Sequence, residues 1–274
     1  MPSAHRTPHR PTPALIRGLR FTRMAVHIAR GLATTAVVFP FAGPRARNRM
    51  IQRWSRKLLA ILAVELEHSS AVPALPERAL IVANHISWLD IFVLNAMQPA
   101  RFIAKSDIRQ WPAIGRLCHS TGTLFVDRTR RRDAARINEQ VMAALAAGDL
   151  VAFFPEGTTT EGRELLPFHG SLLQPVIEAG GHVLPAAIRY LHPDGSHSTA
   201  PAYVGETSLV ESFGALLRAR RTRVHLHLHA PLPTAGRHRR EIAAEAHAVI
   251  RTALDLPAPS TVPGTPAGPR AAQR

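Results

Sequence analysis

Apolar and polar positions follow a helical period in the first quarter of the chain and shorter periods after it. Between residues 14 and 30, Arg17, Arg20, Arg23 and Arg30 recur at intervals near one or more helical turns. Leu15, Leu19, Phe21, Ala25, Val26 and Ile28 take most of the remaining positions, which predicts an amphipathic helix. The uncharged run GLATTAVVFPFAGP (31–44) follows. A spanning helix needs about 20 apolar residues, so a shallow, re-entrant or interfacial segment is expected. A span that reaches back through a snorkelling Arg30 is the other option. Residues 45–62 predict a second helix. Its one face carries Arg45, Arg49, Arg53, Arg56 and Lys57, and its other face Met50, Ile51, Trp54, Leu58, Ile61 and Leu62. Such a helix suits a lipid headgroup boundary, although its apolar face could equally pack on a domain.

From residue 79 the apolar runs become short and rich in β-branched and aromatic residues. ALIVA (79–83), RFIA (101–104), TLFV (123–126), LVAFF (150–154) and VLPAAI (183–188) predict strands. Residues 132–147 and 172–179 predict helices between them, the second stopped by Gly180-Gly181. Residues 223–230 (RVHLHLHA) alternate strictly, a strand with His225, His227 and His229 on one face, and 239–254 form a last helix. Three such histidines could hold a metal, but with no carboxylate or cysteine partner evident nearby a solvated strand face suffices. Strand alternating with helix implies an α/β fold: a mixed, mainly parallel central sheet flanked by helices, behind an N-terminal membrane-associating helical segment. The expected organisation is 1–13 disordered, 14–64 membrane-associating helices, 65–255 the main domain, and 256–274 a disordered Pro/Ala/Gly-rich tail.

Charge sharpens this division. Of 34 Lys and Arg, twelve precede Glu65, the first acidic residue; the remaining 22 face all 19 acids, so residues 65–274 carry only +3 of the total +15. The leader therefore seeks an anionic surface. A membrane fits better than nucleic acid, because aromatics are only 5% of the chain, the cations alternate with lipid-like residues, and no nucleic-acid motif appears. A single cysteine, Cys118, excludes an internal disulfide framework and points to a reducing, cytosolic-side setting.

The chemistry-bearing residues cluster at the carboxyl ends of expected strands, where ligands sit in such folds. Asn84-His85-Ile86-Ser87-Trp88-Leu89-Asp90 follows the first strand directly. His85 and Asp90 would not meet on one continuous helix. With His85 in the turn and a helix starting near Ser87, however, Asp90 in the first turn points back at the imidazole. The pair could then take a proton from a hydroxyl nucleophile, although Asn84 and Ser87 as caps and Asp90 as a dipole partner would explain the same residues. GTLFVDR (122–128) ends in Arg128, whose planar fork suits phosphate. In FPEGTTT, Pro155 stops strand pairing, Gly157 allows close backbone approach, and Glu156 can accept from a hydroxyl or orient a cation.

In this order the segments NHISWLD, GTLFVDR, FPEGT and VLPAAI, with FIAKSDIRQWPAIG between the first two, resemble the glycerolipid acyltransferase family, the 1-acyl-sn-glycerol-3-phosphate acyltransferases and their relatives, over roughly residues 50–235. The resemblance implies a membrane-associated O-acyltransferase at the cytoplasmic face of the cell membrane. It would move a fatty acyl group from acyl-CoA or acyl carrier protein to a lysolipid hydroxyl. His85 would be the base and Asp90 its orienting partner, and Lys105, Arg128, Glu156, Gly157 and Thr158 would bind the acceptor. The partners implied are an anionic membrane, the lysolipid and the acyl carrier, with no nucleic acid, no metal and no permanently bound cofactor. The leading acceptor is 1-acyl-sn-glycerol-3-phosphate, giving phosphatidate. Phosphatidate-forming members commonly carry an arginine directly after FPEGT and a basic residue shortly beyond. This chain has Thr159 and Phe168-His169-Gly170 there, with Arg163 as a substitute cation. FPEGTTT with LPFHGSLLQP is similar to members that acylate other lysolipids, so lyso-ornithine lipid is the alternative acceptor. A non-catalytic membrane-binding relative, or a thioester hydrolase in which the base activates water, completes the set.

Overall fold

The computed structural model describes residues 11–126 other than 112, and residues 131–257. Two helices open the chain, α1 (Ala14–Val37) and α2 (Pro44–Ile61), joined through a 3₁₀ turn at Phe39–Phe41. Strands β1 (Val64–Ser70) and β2 (Ala79–Ala83), helix α3 (Asp90–Met97), β3 (Arg101–Lys105), α4 (Ile114–Ser120), β4 (Leu124–Val126), α5 (Arg131–Ala146) and β5 (Val151–Phe153) follow. The chain continues through α6 (Gln174–Glu178), β6 (His182–Leu191), α7 (Leu209–Arg218), β7 (Thr222–Leu228), the short β8 (Leu232–Pro233) and α8 (Arg239–Ala253). The strands form one sheet in the order β1-β7-β6-β2-β5-β3-β4, with β8 beside β6. Among the described strands the β6–β7 and β6–β8 pairs are antiparallel and the other pairs parallel, so the mixed, mainly parallel α/β fold expected from the sequence is the one observed.

Sheet position explains strand composition. All five residues of β2 are buried because helices cover both faces, hence an unbroken apolar run rather than an alternation. Its side chains still point alternately. Ile81 joins one core with Met24, Leu58, Leu62, Leu94, Leu184 and Leu216. Leu80 and Val82 join the other with Ile137, Val141, Val176, Ile242 and Ile250. β7 lies nearer the edge and alternates buried with half-buried positions. Its histidines face the uncovered end of the sheet: His225 Nε2 lies 2.9 Å from Glu67 Oε2, and His227 Nδ1 2.6 Å from the Ser69 hydroxyl.

The N-terminal helices correct one expectation. The apolar face of α2, suited by pattern to a headgroup boundary, is buried in the protein: Leu58, Leu59, Ile61 and Leu62 are at most 5% exposed. Trp54 stacks on His27 of α1 at 4.6 Å and leans on Phe92 of α3. Gly31 is the point of closest approach, where a Cβ would lie 2.6 Å from Trp54 Nε1. Arg56 and Gln52 donate to the carbonyls of Ala96 and Met97, satisfying the open C-terminus of α3. α2 is thus a structural helix, and α1 presents the free apolar surface. Leu15, Leu19, Val26 and Val37 form an exposed stripe at helical spacing, followed by Phe41 at 90% exposure. Exposed Arg23 and Arg30 flank that stripe. No helix among the described residues is long and apolar enough to cross a membrane. The expected disorder of 1–13 reaches too far at Thr12, which is buried and whose amide donates to the Arg218 carbonyl, closing the end of α7. Residues 1–10, and the expected tail beyond residue 257, lie outside the described residues.

Candidate active site

β2 ends beside β6, and the first polar residue beyond it extends the ladder with its side chain. Asn84 Nδ2 donates to the Ile188 carbonyl at 2.9 Å and its Oδ1 accepts from the Ile188 amide at 2.8 Å. The backbone is thereby released into a turn while staying fixed to the sheet. His85 stands in that turn and α3 begins at Asp90, close to the arrangement the five-residue spacing predicted. The His85 Nδ1 donates to Asp90 Oδ2 at 2.9 Å. The same oxygen accepts from the amides of Ile86 at 2.7 Å and Ser87 at 2.9 Å, so Asp90 also ties the turn to its own helix. Asp90 is fully buried, and a buried carboxylate is tolerated only where its oxygens are paired. The imidazole is 20% exposed, and with Nδ1 committed to Asp90 its Nε2 is the nitrogen left for a ligand.

Three further contacts hold His85. Its ring lies flat on Phe154 at 3.8 Å and 5°. Its amide donates to Glu156 Oε1 at 2.7 Å, and its carbonyl accepts from the Thr160 amide at 2.9 Å. The loop after β5 thus acts as the second wall of the site. Gly157 turns that loop at φ +74°, a conformation open to glycine at little cost.

Glu156 takes a different place from the one its motif suggested. It is 4% exposed, and Oε2 accepts from the Leu166 amide at 2.9 Å. Both oxygens serve the backbone, so Glu156 clamps the His85 turn to its own loop instead of facing an acceptor. Burial pushes its carboxyl up to about 7, against the lowering effect of the Leu166 and His85 amides.

Of the remaining sequence candidates, Thr158 is exposed beside Gly157. Lys105 is exposed at the end of β3, separated from β2 by β5, at the same carboxyl edge of the sheet. Arg128 lies outside the described residues. Thr159, where an arginine was looked for, donates its hydroxyl to the Tyr203 carbonyl. Arg163 is 58% exposed with Glu161 at 3.8 Å. Sequence reasoning missed Phe154 as the stacking partner, Asn84 as a strand extension, and Tyr190, whose hydroxyl donates to Asp90 Oδ1 at 2.8 Å. One signal was available for Tyr190: a tyrosine in an otherwise buried apolar strand needs a partner for its hydroxyl.

Comparison with known proteins bears on the family and the fold. A family model described as Acyltransferase matches residues 63–189. The chain is 42% identical over 160 residues to the 1-acyl-sn-glycerol-3-phosphate acyltransferase of Neisseria meningitidis serogroup B, covering 58% of this chain and 63% of that protein. The chain thus spans somewhat less than two thirds of the length of that relative. It is 39% identical over 208 residues to the lyso-ornithine lipid O-acyltransferase of Pseudomonas aeruginosa, covering 76% of this chain and 79% of that protein. The solved structure of the 1-acyl-sn-glycerophosphate acyltransferase of Thermotoga maritima has the same fold, with a TM-score of 0.63 at 20% identity, over 88% of this chain and 94% of that one.

Proposed function

The chain belongs to the glycerolipid acyltransferase family, and on that premise we propose that it transfers a fatty acyl group from an acyl thioester to the free hydroxyl of a lysolipid. The observation that carries this is the His85 Nδ1–Asp90 Oδ2 contact at the carboxyl end of β2, which turns Nε2 outward as the base. The lysolipid hydroxyl loses its proton to Nε2 as its oxygen attacks the thioester carbonyl. Asp90 stabilises the imidazolium that forms, and the collapsing intermediate expels the thiolate, which receives the proton from Nε2 and leaves as the thiol. The acyl group passes directly to the acceptor, so His85 serves as acid and base in turn. The donor is acyl-CoA or acyl carrier protein; no permanently bound cofactor enters the scheme.

Lys105, Arg128, Gly157 and Thr158 are proposed to face the acceptor; Glu156 acts one step back, through the His85 amide. The exposed stripe of α1 with its flanking arginines supports docking on an anionic leaflet, at the cytoplasmic face of the cell membrane. For the acceptor, 1-acyl-sn-glycerol-3-phosphate is supported by the similarity to the Neisseria protein. Lyso-ornithine lipid is favoured by the longer match to the Pseudomonas aeruginosa protein and by Thr159, which is bound to a carbonyl where a phosphate-binding arginine was looked for.

The test is an acceptor screen. Purified protein with radiolabelled acyl thioester is offered lysophosphatidate, lyso-ornithine lipid and other lysophospholipids, and products are separated by lipid chromatography. A labelled diacyl product with one of these acceptors is expected. Release of free fatty acid alone, with every acceptor, would make the protein a thioesterase.

A further inference from the structure

Asp90 has two carboxylate oxygens, and the turn uses only one. Oδ2 takes the His85 Nδ1 and the amides of Ile86 and Ser87. Oδ1 faces the sheet in a fully buried setting and meets the Tyr190 hydroxyl at 2.8 Å. Tyr190 is itself 0% exposed and sits on β6 beyond the point where β2 has ended. β6 can reach that far because its outer half is held by β7, with Tyr190 opposite Val224, and by the Ser198 amide donating to the Tyr190 carbonyl. Two residues earlier, Ile188 holds the side chain of Asn84. One strand therefore grips the His85 turn at both ends, by main chain at Asn84 and by a phenol at Asp90.

We propose that Tyr190 is a positioning residue for the acyl transfer. Its hydroxyl fixes the rotation of the Asp90 carboxylate so that Oδ2 faces the imidazole, and it draws off part of the negative charge that Asp90 presents there. The inference rests on the proposed function, because it assigns Tyr190 to the base of that reaction. The phenol stays protonated: burial, and then the charge and hydrogen bond of Asp90, raise it well above its ordinary range. It is thus a fixed donor across the working pH range. Among the described residues, the titratable groups set against the turn include His85 itself, Glu156 on the His85 amide, Glu164, whose charge acts on Glu156, and Tyr203, whose amide donates to the Ile86 carbonyl. All of them are retained in the variants below.

The experiment compares full-length wild type, Tyr190→Phe and a protein carrying 3-fluorotyrosine at position 190, each with the acceptor chosen by the screen. kcat and KM are read against pH, and Tm is read on the same samples. In Tyr190→Phe the carboxylate loses its Oδ1 donor and holds the imidazolium proton more tightly. The acidic limb of kcat/KM should move to higher pH, and kcat should fall about tenfold or more with KM for the acceptor within about twofold. Fluorine makes the phenol a stronger donor without changing the packing appreciably, so the limb should move to lower pH with Tm unchanged. If Tyr190→Phe fails to fold, the fluorinated protein alone decides the matter. Acidic limbs that coincide with wild type in every folded variant overturn the inference, and so does a loss of kcat with an unmoved profile, which marks a packing role only. A wild type that acylates none of the acceptors instead overturns the proposed function, and that is seen before any variant is made.

Discussion

His85 has one nitrogen on Asp90, its face on Phe154, and its amide and carbonyl on the loop after β5. As the proposed base, an imidazole fixed from four sides would lose little freedom on meeting a hydroxyl, which is where its advantage over a free imidazole would lie. Asp90→Asn separates charge from geometry. The amide oxygen can accept the three donors that Oδ2 accepts now, while the amide nitrogen faces the Tyr190 hydroxyl, which can accept. Tm should change little, while kcat should fall by about 10³–10⁴ because the imidazolium loses its counter-charge. Steady-state kinetics beside a thermal melt checks both halves. Glu156 gives a pH prediction. Its folded-state carboxyl lies near 7, above its ordinary 4.5, so the folded protein binds an extra proton in between. Stability from this group is complete below about 4.5 and is lost as pH rises through about 7. Glu156→Gln should remove that fall, seen as a flatter Tm–pH curve relative to wild type, and should lower activity because an amide cannot accept from both the His85 and Leu166 amides. The His–Asp contact was legible in the sequence because a helix starting just after His85 lets Asp90 in its first turn point back at the imidazole, although helix capping would have explained the same residues. The Glu156 clamp and Tyr190 were not, since each acts across about 70 to 100 residues of chain, which no local period encodes.

Among the elements, α1 and α2 show how far an amphipathic pattern goes. Both faces of α2 were visible in the sequence, but what the apolar face meets depends on α1 and α3, and Trp54, Leu58 and Leu62 find them rather than lipid. The free surface falls to α1, whose stripe of Leu15, Leu19, Val26 and Val37 is exposed. Replacing Leu19 and Val26 together by Glu should weaken binding to anionic vesicles by at least tenfold in a sedimentation assay without lowering Tm, since both side chains are exposed. Changing Trp54→Ala should lower Tm instead, by removing the contact that joins α1, α2 and α3. The strand elements were legible nearly to the residue where an apolar run is buried on both faces, as in β2 and β5. β1 and α7 were not read: β1 is an edge strand with an exposed half, and α7 is only ten residues long, although its Ser208–Glu211 capping box is a start signal present in the sequence.

For the whole molecule, the mainly parallel sheet brings the ends of β2, β5 and β3 to one edge, where the loops after β2 and β5 carry His85 and Glu156 and Lys105 closes β3. The basic leader supplies twelve of the 34 cations, so vesicle binding should weaken as salt rises. The central claim is that His85 acts as the base at that edge. The most direct measurement compares turnover of His85→Ala and wild type with the same labelled acyl thioester and acceptor, under conditions where Tm and vesicle affinity of the two proteins agree. Product formation by His85→Ala is expected to fall by a factor of about 10³ or more. Transfer by His85→Ala at a rate comparable to wild type would contradict it.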